Sequence, residues 1–197
     1  MKRVLNVGGN SKEIPLPPEY LGFEHLLLDI DPLCNPDILL DARKLTDSPA
    51  GQFDAIYCSH NLEHYYRHDV PKVLSGFLHV LKPGGFAHVV VPDLIGLMRQ
   101  VVYRNMDLED HLYLSAVGPI APIDVIYGYG RQIESSGTDF FAHKTGFSAQ
   151  SLARAAIVAG FSQYVVTTDE KPEISLIAFK GQPDPAFLQL FRLRVGE

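Results

Sequence analysis

Tryptophan is missing from this sequence of 197 residues, and cysteine is limited to Cys34 and Cys58. Two cysteines without C-x-x-C spacing build neither a disulfide framework nor a thiolate zinc cluster, and they suit a reducing compartment, the cytoplasm. Basic charge is short as well: 17 Lys and Arg stand against 23 Asp and Glu, a net charge of −6. Nucleic-acid surfaces need clustered cations for phosphates. Only RLR near the C-terminus comes close, so no nucleic-acid partner is expected. No apolar run approaches the roughly 20 residues of a membrane span, and MKRVLNVGG is too short in apolar residues for a signal peptide. Repeats and low-complexity tracts are absent.

What is present is the composition of a soluble globular protein, 46% hydrophobic and 20% charged, long enough for one domain with its own core. Short runs rich in Val, Leu and Ile recur between turn signals: RVLNV (3–7), HLLLDI (25–30), DILL (37–40), FDAIYCS (53–59) and FAHVVVP (86–92). Each reads as a strand buried on both faces. Val70, Val73, Leu74, Phe77, Leu78 and Leu81 keep helical spacing up to Pro83-Gly84-Gly85, which predicts a strand–helix–strand unit with a parallel pair. A second helix is expected from a Ser148 cap to Gly160, then two strands joined by DEKPE and paired antiparallel. The fold class expected is α/β, a doubly wound, mostly parallel sheet with an antiparallel C-terminal pair.

Residues 93–147 interrupt this rhythm with helical patterns around LIGLMRQVVYR and LEDHLYLSA, then a loop rich in Gly, Tyr and Pro. An insertion of that size either covers a ligand cleft or serves as a capping element, for example at a homodimer contact. The expected organisation is one domain over 1–182, this insertion within it, and a tail over 183–197.

Open parallel sheets bind ligands at the carboxyl ends of their strands. After the first strand, Gly8 and Gly9 let the backbone approach a ligand closely. About twenty residues on, Asp29 ends the second strand, where an acid grips a ribose diol. Asp31 precedes Pro32 and turns away. Asp41 reaches the same rim from the third strand, and Asp at such places also serves as a turn former or helix cap.

YCSHNLEHYYRHD (57–69) spaces His60, His64 and His68 four apart around Glu63. HNLEH matches the inverted zincin pattern H-x-x-E-H, which would make a zinc hydrolase of His60, Glu63 and His64. That chemistry needs both histidines on one helix. FDAIYCS is a strand, so His60 falls at its end and no metal site is expected. His64 with Glu63 is read as fixing the turn, and His68 as exposed at the next helix start.

Taken in order, VLNVGGN, LLLDIDP, LLDARKL, FDAIYCSHNLEHY, VLKPGGFAHVVVPDL and HKTGFSAQSLARAAIVAGF resemble class I S-adenosylmethionine-dependent methyltransferases, especially the type 11 group of small-molecule enzymes. The resemblance covers roughly residues 2–180. It implies S-adenosyl-L-methionine as cofactor, with Gly8 and Gly9 against it, Asp29 on the ribose, Asp41 and Ala42 at the adenine, and Ser59, His60 and Asn61 lining the pocket. YGYGRQ followed by FFAHKTGFS looks like a subgroup associated with bacterial cell-surface polysaccharide synthesis, implying a small-molecule or glycan-precursor acceptor. One departure stands out: Asn6 holds the place of the family's usual acid, and SKEIPLPPEY can hardly form the helix that follows.

Methyl transfer from a sulfonium is an in-line displacement for which the protein aligns the acceptor and excludes water. An oxygen or nitrogen acceptor also loses a proton, so a base helps. His143 is the first candidate and His60 the second, with Tyr127, Tyr129 and Arg131 placed to hold the acceptor. A nucleotide-dependent oxidoreductase is disfavoured, because VGGNSK lacks both the third glycine and the helix N-terminus that a pyrophosphate needs. A non-catalytic binding protein that keeps only the fold is the remaining alternative.

Overall fold

The computed structural model describes residues 1–115, 117–169 and 171–191. Its centre is a seven-stranded sheet in the order β3-β2-β1-β4-β5-β9-β8. The strands are β1 (Arg3–Val7), β2 (Glu24–Asp29), β3 (Ile38–Leu39), β4 (Phe53–Ser59), β5 (Leu81–Pro92), β8 (Gln163–Thr168) and β9 (Glu173–Phe179). The first five run parallel, and β9 lies antiparallel between β5 and β8. β6 (Tyr113–Ser115) and β7 (Gly118–Ile120) form a separate hairpin.

Alternation along the strands separates two cores. Leu5 and Val7, Ile56 and Cys58, and Val89 and Val91 face helices α1 (Val70–Val80) and α5 (Ala149–Ala159). Val4, Ala55, Phe86 and Ile177 face the other way, onto Tyr20, Phe23 and Phe187. The α5 cap is reciprocal: the hydroxyl of Ser148 accepts from the Ser151 amide at 3.2 Å, and the hydroxyl of Ser151 from the Ser148 amide at 2.9 Å. Gly160 ends the helix in the left-handed region.

No helix forms between β1 and β2; three prolines leave a loop and one 3-10 turn, Pro18–Tyr20. The second sheet face is instead covered by that loop and by a short helix at the C-terminal end, α6 (Pro185–Leu190), whose Phe187 is buried against Phe86. The expected tail over 183–197 thus includes core residues; 192–197 lie outside the described part.

Three local expectations need correction. β5 starts at Leu81 rather than Phe86, because LKPGG pairs with β4 through a bulge (Phe53 opposite Leu81, then Ala55 opposite Phe86). The helix expected around LEDHLYLSA is replaced by a turn and the β6–β7 hairpin. Here Asp110 accepts from the Asp107 amide at 2.7 Å and Asp107 from the Glu109 amide at 3.2 Å, so short acidic side chains compete with the helical ladder. The Gly, Tyr and Pro loop contains two short helices, α3 (Pro122–Tyr127) and α4 (Gly130–Ser136). Pro122 opens α3, where its missing N–H costs nothing, and Asp124 reaches back to the Ala121 amide at 3.0 Å.

The chain leaves the sheet at Asp93 and returns at Phe147, where the two residues bridge in parallel. Between them, helix α2 (Leu94–Tyr103), the hairpin and α3 enclose a small core of Leu97, Leu112, Ile120 and Val125. Among the described residues no helix is long and apolar enough to cross a membrane.

Candidate active site

A cleft of about 570 Å³ opens at the carboxyl ends of β1 to β4, between the sheet rim and the insertion. Gly8, Asp29, Asp41, His60 and Asn61 line its sheet side, and Tyr129, Phe140, Phe141, His143 and Lys144 its insertion side. Seven residues singled out in the sequence therefore converge: Gly8, Asp29, Asp41, His60, Asn61, Tyr129 and His143. Five lie elsewhere. Gly9 sits behind the wall, Ala42 is buried in the core, and Ser59 faces a groove on the other side of the sheet. Tyr127 and Arg131 are exposed on the outer part of the insertion.

β1 delivers Gly8 with φ +70°, a left-handed conformation, while its amide extends the ladder to Leu28 O at 2.8 Å. A Cβ there would lie 2.0 Å from the Asn61 amide nitrogen, so glycine is required for backbone conformation and for space. Behind it, the buried Asn6 pairs its side-chain nitrogen with His25 at 3.2 Å. Gly9 has no room for a Cβ against that Asn6 amide.

Asp29 ends β2 with one carboxylate oxygen accepting from the Asp31 amide at 3.0 Å; the other has no partner among the described residues. Asp31 caps the next turn by accepting from the Leu33 amide at 2.9 Å, yet it lines the cleft beside Asp29 rather than turning away from it before the proline. Asp41 is a cap as well: it accepts from the Arg43 amide at 2.9 Å and holds the Arg43 guanidinium through both oxygens. Burial pushes its carboxyl up, and the hydrogen bonds and charge of Arg43 outweigh that and hold it below the usual range.

His60 follows β4 with φ +49°, and its two nitrogens face Glu63 at 3.6 Å and Glu173 at 3.4 Å. Desolvation works against the charged ring, but the carboxylates of Glu173 and Glu63 beside it raise its pKa to about 10. Leu62–His64 form a single 3-10 turn, so His60 and His64 do not share a helix face as the zinc hydrolase requires. The two nitrogens of His64 lie at 3.1 Å from Ala142 O and 3.2 Å from His60 O, and a neutral ring donates to one of them. His68 is exposed just before α1.

The insertion hangs on this turn. The amides of Lys144 and Thr145 donate to Glu63 O at 2.8 and 3.2 Å, and the rings of His64 and His143 meet edge to face at 5.0 Å. His143 donates from Nδ1 to Val125 O at 2.9 Å, and its Nε2 lies 3.9 Å from Glu63 Oε1. Burial lowers its pKa although Glu63 pulls the other way, so the ring is neutral at pH 7. Glu63, His64 and His143 bring one ligand-type atom each within 4.8 Å, but His64 would have to turn its ring to offer a lone pair.

Sequence reasoning did not find Arg43, Tyr65, Tyr66, Phe140, Phe141 or Lys144 on the cleft. Only Arg43, two residues beyond Asp41, had a local signal.

A family model described as a methyltransferase domain matches residues 30–89. No curated protein matches by sequence. Among solved structures, a SAM-dependent methyltransferase from Archaeoglobus fulgidus is similar at 15% identity and TM-score 0.57, covering 91% of this chain and 86% of that one. A SAM-dependent methyltransferase from Methanosarcina mazei is similar at 16% identity and TM-score 0.57, covering 91% and 92%. Human N-acetylserotonin methyltransferase, solved in complex with SAM, gives 13% identity and TM-score 0.51, covering 91% of this chain but 47% of its own. The methyltransferase-domain match spans the third to fifth strands, and over its length the chain has the fold of these S-adenosylmethionine-dependent methyltransferases.

Proposed function

We propose that the protein binds S-adenosylmethionine in the cleft and methylates an oxygen or nitrogen of a small molecule or cell-surface glycan precursor in the cytoplasm. The observation that carries this reading is the convergence of Gly8, Asp29, Asp41, His60 and Asn61 on one cleft at the carboxyl ends of β1 to β4. The residues fit the cofactor. Asp29 offers a carboxylate oxygen without a partner among the described residues where a ribose diol would be held, Gly8 lies on the cleft floor, and Asp41 is assigned the adenine end, with the neighbouring Ala42 buried behind it. Adenosylmethionine carries no phosphate, so the missing helix after β1 is no obstacle to it. When bound, it supplies a methyl group already activated on a sulfonium.

The chain's own work is to orient the acceptor, exclude water and take a proton. Tyr129, Phe140 and Phe141 line the insertion side of the cleft, and we assign them the packing of a sugar or other acceptor, with Tyr127 and Arg131 at the outer approach. His143 holds a hydrogen on Nδ1 and keeps the lone pair of Nε2, and we assign it the acceptor's proton. His60, kept charged by two carboxylates, acts as a cationic wall rather than a base. Isothermal titration with S-adenosylmethionine tests the reading: saturable binding is expected, and none at millimolar ligand overturns it.

A second reading is a non-catalytic binding protein with a degenerate cofactor site. Two observations favour it: Asn6 replaces the acid, and the Asn61 amide fills the space over Gly8. Binding without any methyl release to an acceptor would support it.

A further inference from the structure

We propose that Glu63 is a positioning residue for His143, a buried counter-charge that makes this imidazole able to take the acceptor's proton. The inference rests on the methyltransferase reading above. Glu63 is 1% exposed, and neither of its carboxylate oxygens has a hydrogen-bond partner among the described residues. A buried carboxylate without donors is costly unless nearby charge compensates it. Its only ion pairs among those residues are imidazoles, His60 Nδ1 at 3.6 Å and His143 Nε2 at 3.9 Å.

The tautomer of His143 follows from geometry. A carbonyl can only accept, so the contact of Nδ1 with Val125 O at 2.9 Å places the hydrogen on Nδ1 and the lone pair on Nε2. Nε2 lies 3.9 Å from a Glu63 carboxylate oxygen, beyond hydrogen-bonding distance. A proton arriving at Nε2 converts a mildly repulsive approach into an ion pair. In the step, the acceptor's X–H bond breaks, its electron pair stays on X to bond the methyl carbon, and the proton forms the Nε2–H bond of His143. Glu63 takes no proton; it stabilises the imidazolium.

The main chain fixes this pair. Glu63 O receives the amides of Lys144 and Thr145, immediately after His143, so the backbones that carry carboxylate and imidazole cannot separate without breaking two hydrogen bonds. The other groups facing Glu63 are accounted for. His60 shares its charge with Glu173, His64 has a backbone carbonyl near each nitrogen and donates to one of them when neutral, and the Cys58 thiol is pushed up by burial and then by Glu63, so it stays neutral.

The test is the titration of His143 followed by nitrogen-15 NMR in the protein without cofactor or acceptor, in wild type and in Glu63→Gln. Loss of the counter-charge should lower the His143 pKa by about one unit or more. The acidic limb of kcat/KM should move the same way, with Glu63→Asp restoring part of the shift. An unchanged His143 titration overturns the proposal. If Glu63→Gln does not fold, the wild-type tautomer decides: a proton on Nδ1 with bare Nε2 is expected, and a neutral ring protonated on Nε2 overturns it. Stoichiometric metal on Nε2 in the purified protein also overturns it. Because the titration needs no ligand, its failure is distinct from failure of the methyltransferase reading, which cofactor titration reports.

Discussion

His60 and Glu173 meet at 3.4 Å across the carboxyl edge of the sheet, which ties the end of β4 to the start of β9. The contact spans β5, the strand between them. His60 reaches it from a left-handed backbone conformation, φ +49°, that an L-residue adopts only when its surroundings repay the strain. Here the return is a cation between two carboxylates, Glu173 and Glu63, at the boundary of the cleft.

The pH dependence of stability follows from that cation. His60 is raised from 6.5 to about 10 in the folded state, so its contribution is fully present below about pH 6.5. It is lost as the pH rises toward 10. Denaturant midpoints measured across this range should fall more steeply in wild type than in His60→Gln. The ring is 46% exposed, and solvent screening keeps the effect modest. Parallel pH curves for the two proteins would contradict the charge assigned to His60.

Phe187→Ala should destabilise the fold by about 3–5 kcal/mol, measured by urea unfolding. Its ring is 3% exposed and meets Phe86 edge to face at a centroid distance of 4.8 Å, with Phe23 at 6.4 Å and the Lys2 ammonium over its face at 4.0 Å. A change under about 1 kcal/mol, the range of surface substitutions, would show α6 to be an appendage.

Gly8→Ala should cost about 1–2 kcal/mol from the left-handed backbone alone, and more if the new Cβ displaces Asn61. Under the proposed function the same substitution should weaken S-adenosylmethionine, because it adds a methyl group, or a displaced Asn61, at the floor of the cleft. Wild-type stability together with wild-type affinity would count against Gly8 as part of the cleft floor.

The sheet was legible because each strand carries its own apolar run and each connection its own turn residues. Ser148 and Gly160 mark the ends of α5 in the sequence, and both cap it. Competition at short range was harder to read. LEDHLYLSA has helix-forming residues, but Asp107 and Asp110 draw backbone amides to their side chains. LKPGG resembles a stop signal, yet Gly84 donates to Lys180 O at 2.8 Å and the segment joins the sheet. The site was legible where one strand end presents it, as at Gly8, Asp29 and His60. It was not legible where the insertion folds back. His64 meets Ala142 across 78 positions, and nothing local in HNLEH says that its glutamate will lie beneath the histidine of FFAHKTGFS.

Asp29 is the residue on which the proposed cofactor site turns: one of its carboxylate oxygens has no partner among the described residues, and the proposal gives it the ribose. Isothermal titration of S-adenosylhomocysteine into wild type and Asp29→Ala, with the fold of both checked by circular dichroism, tests it directly. Removing a charged hydrogen-bond acceptor from the ligand should cost about 1.5–3 kcal/mol, roughly a 10- to 150-fold loss of affinity. Equal affinities in the two folded proteins would contradict a cofactor held in this cleft by Asp29.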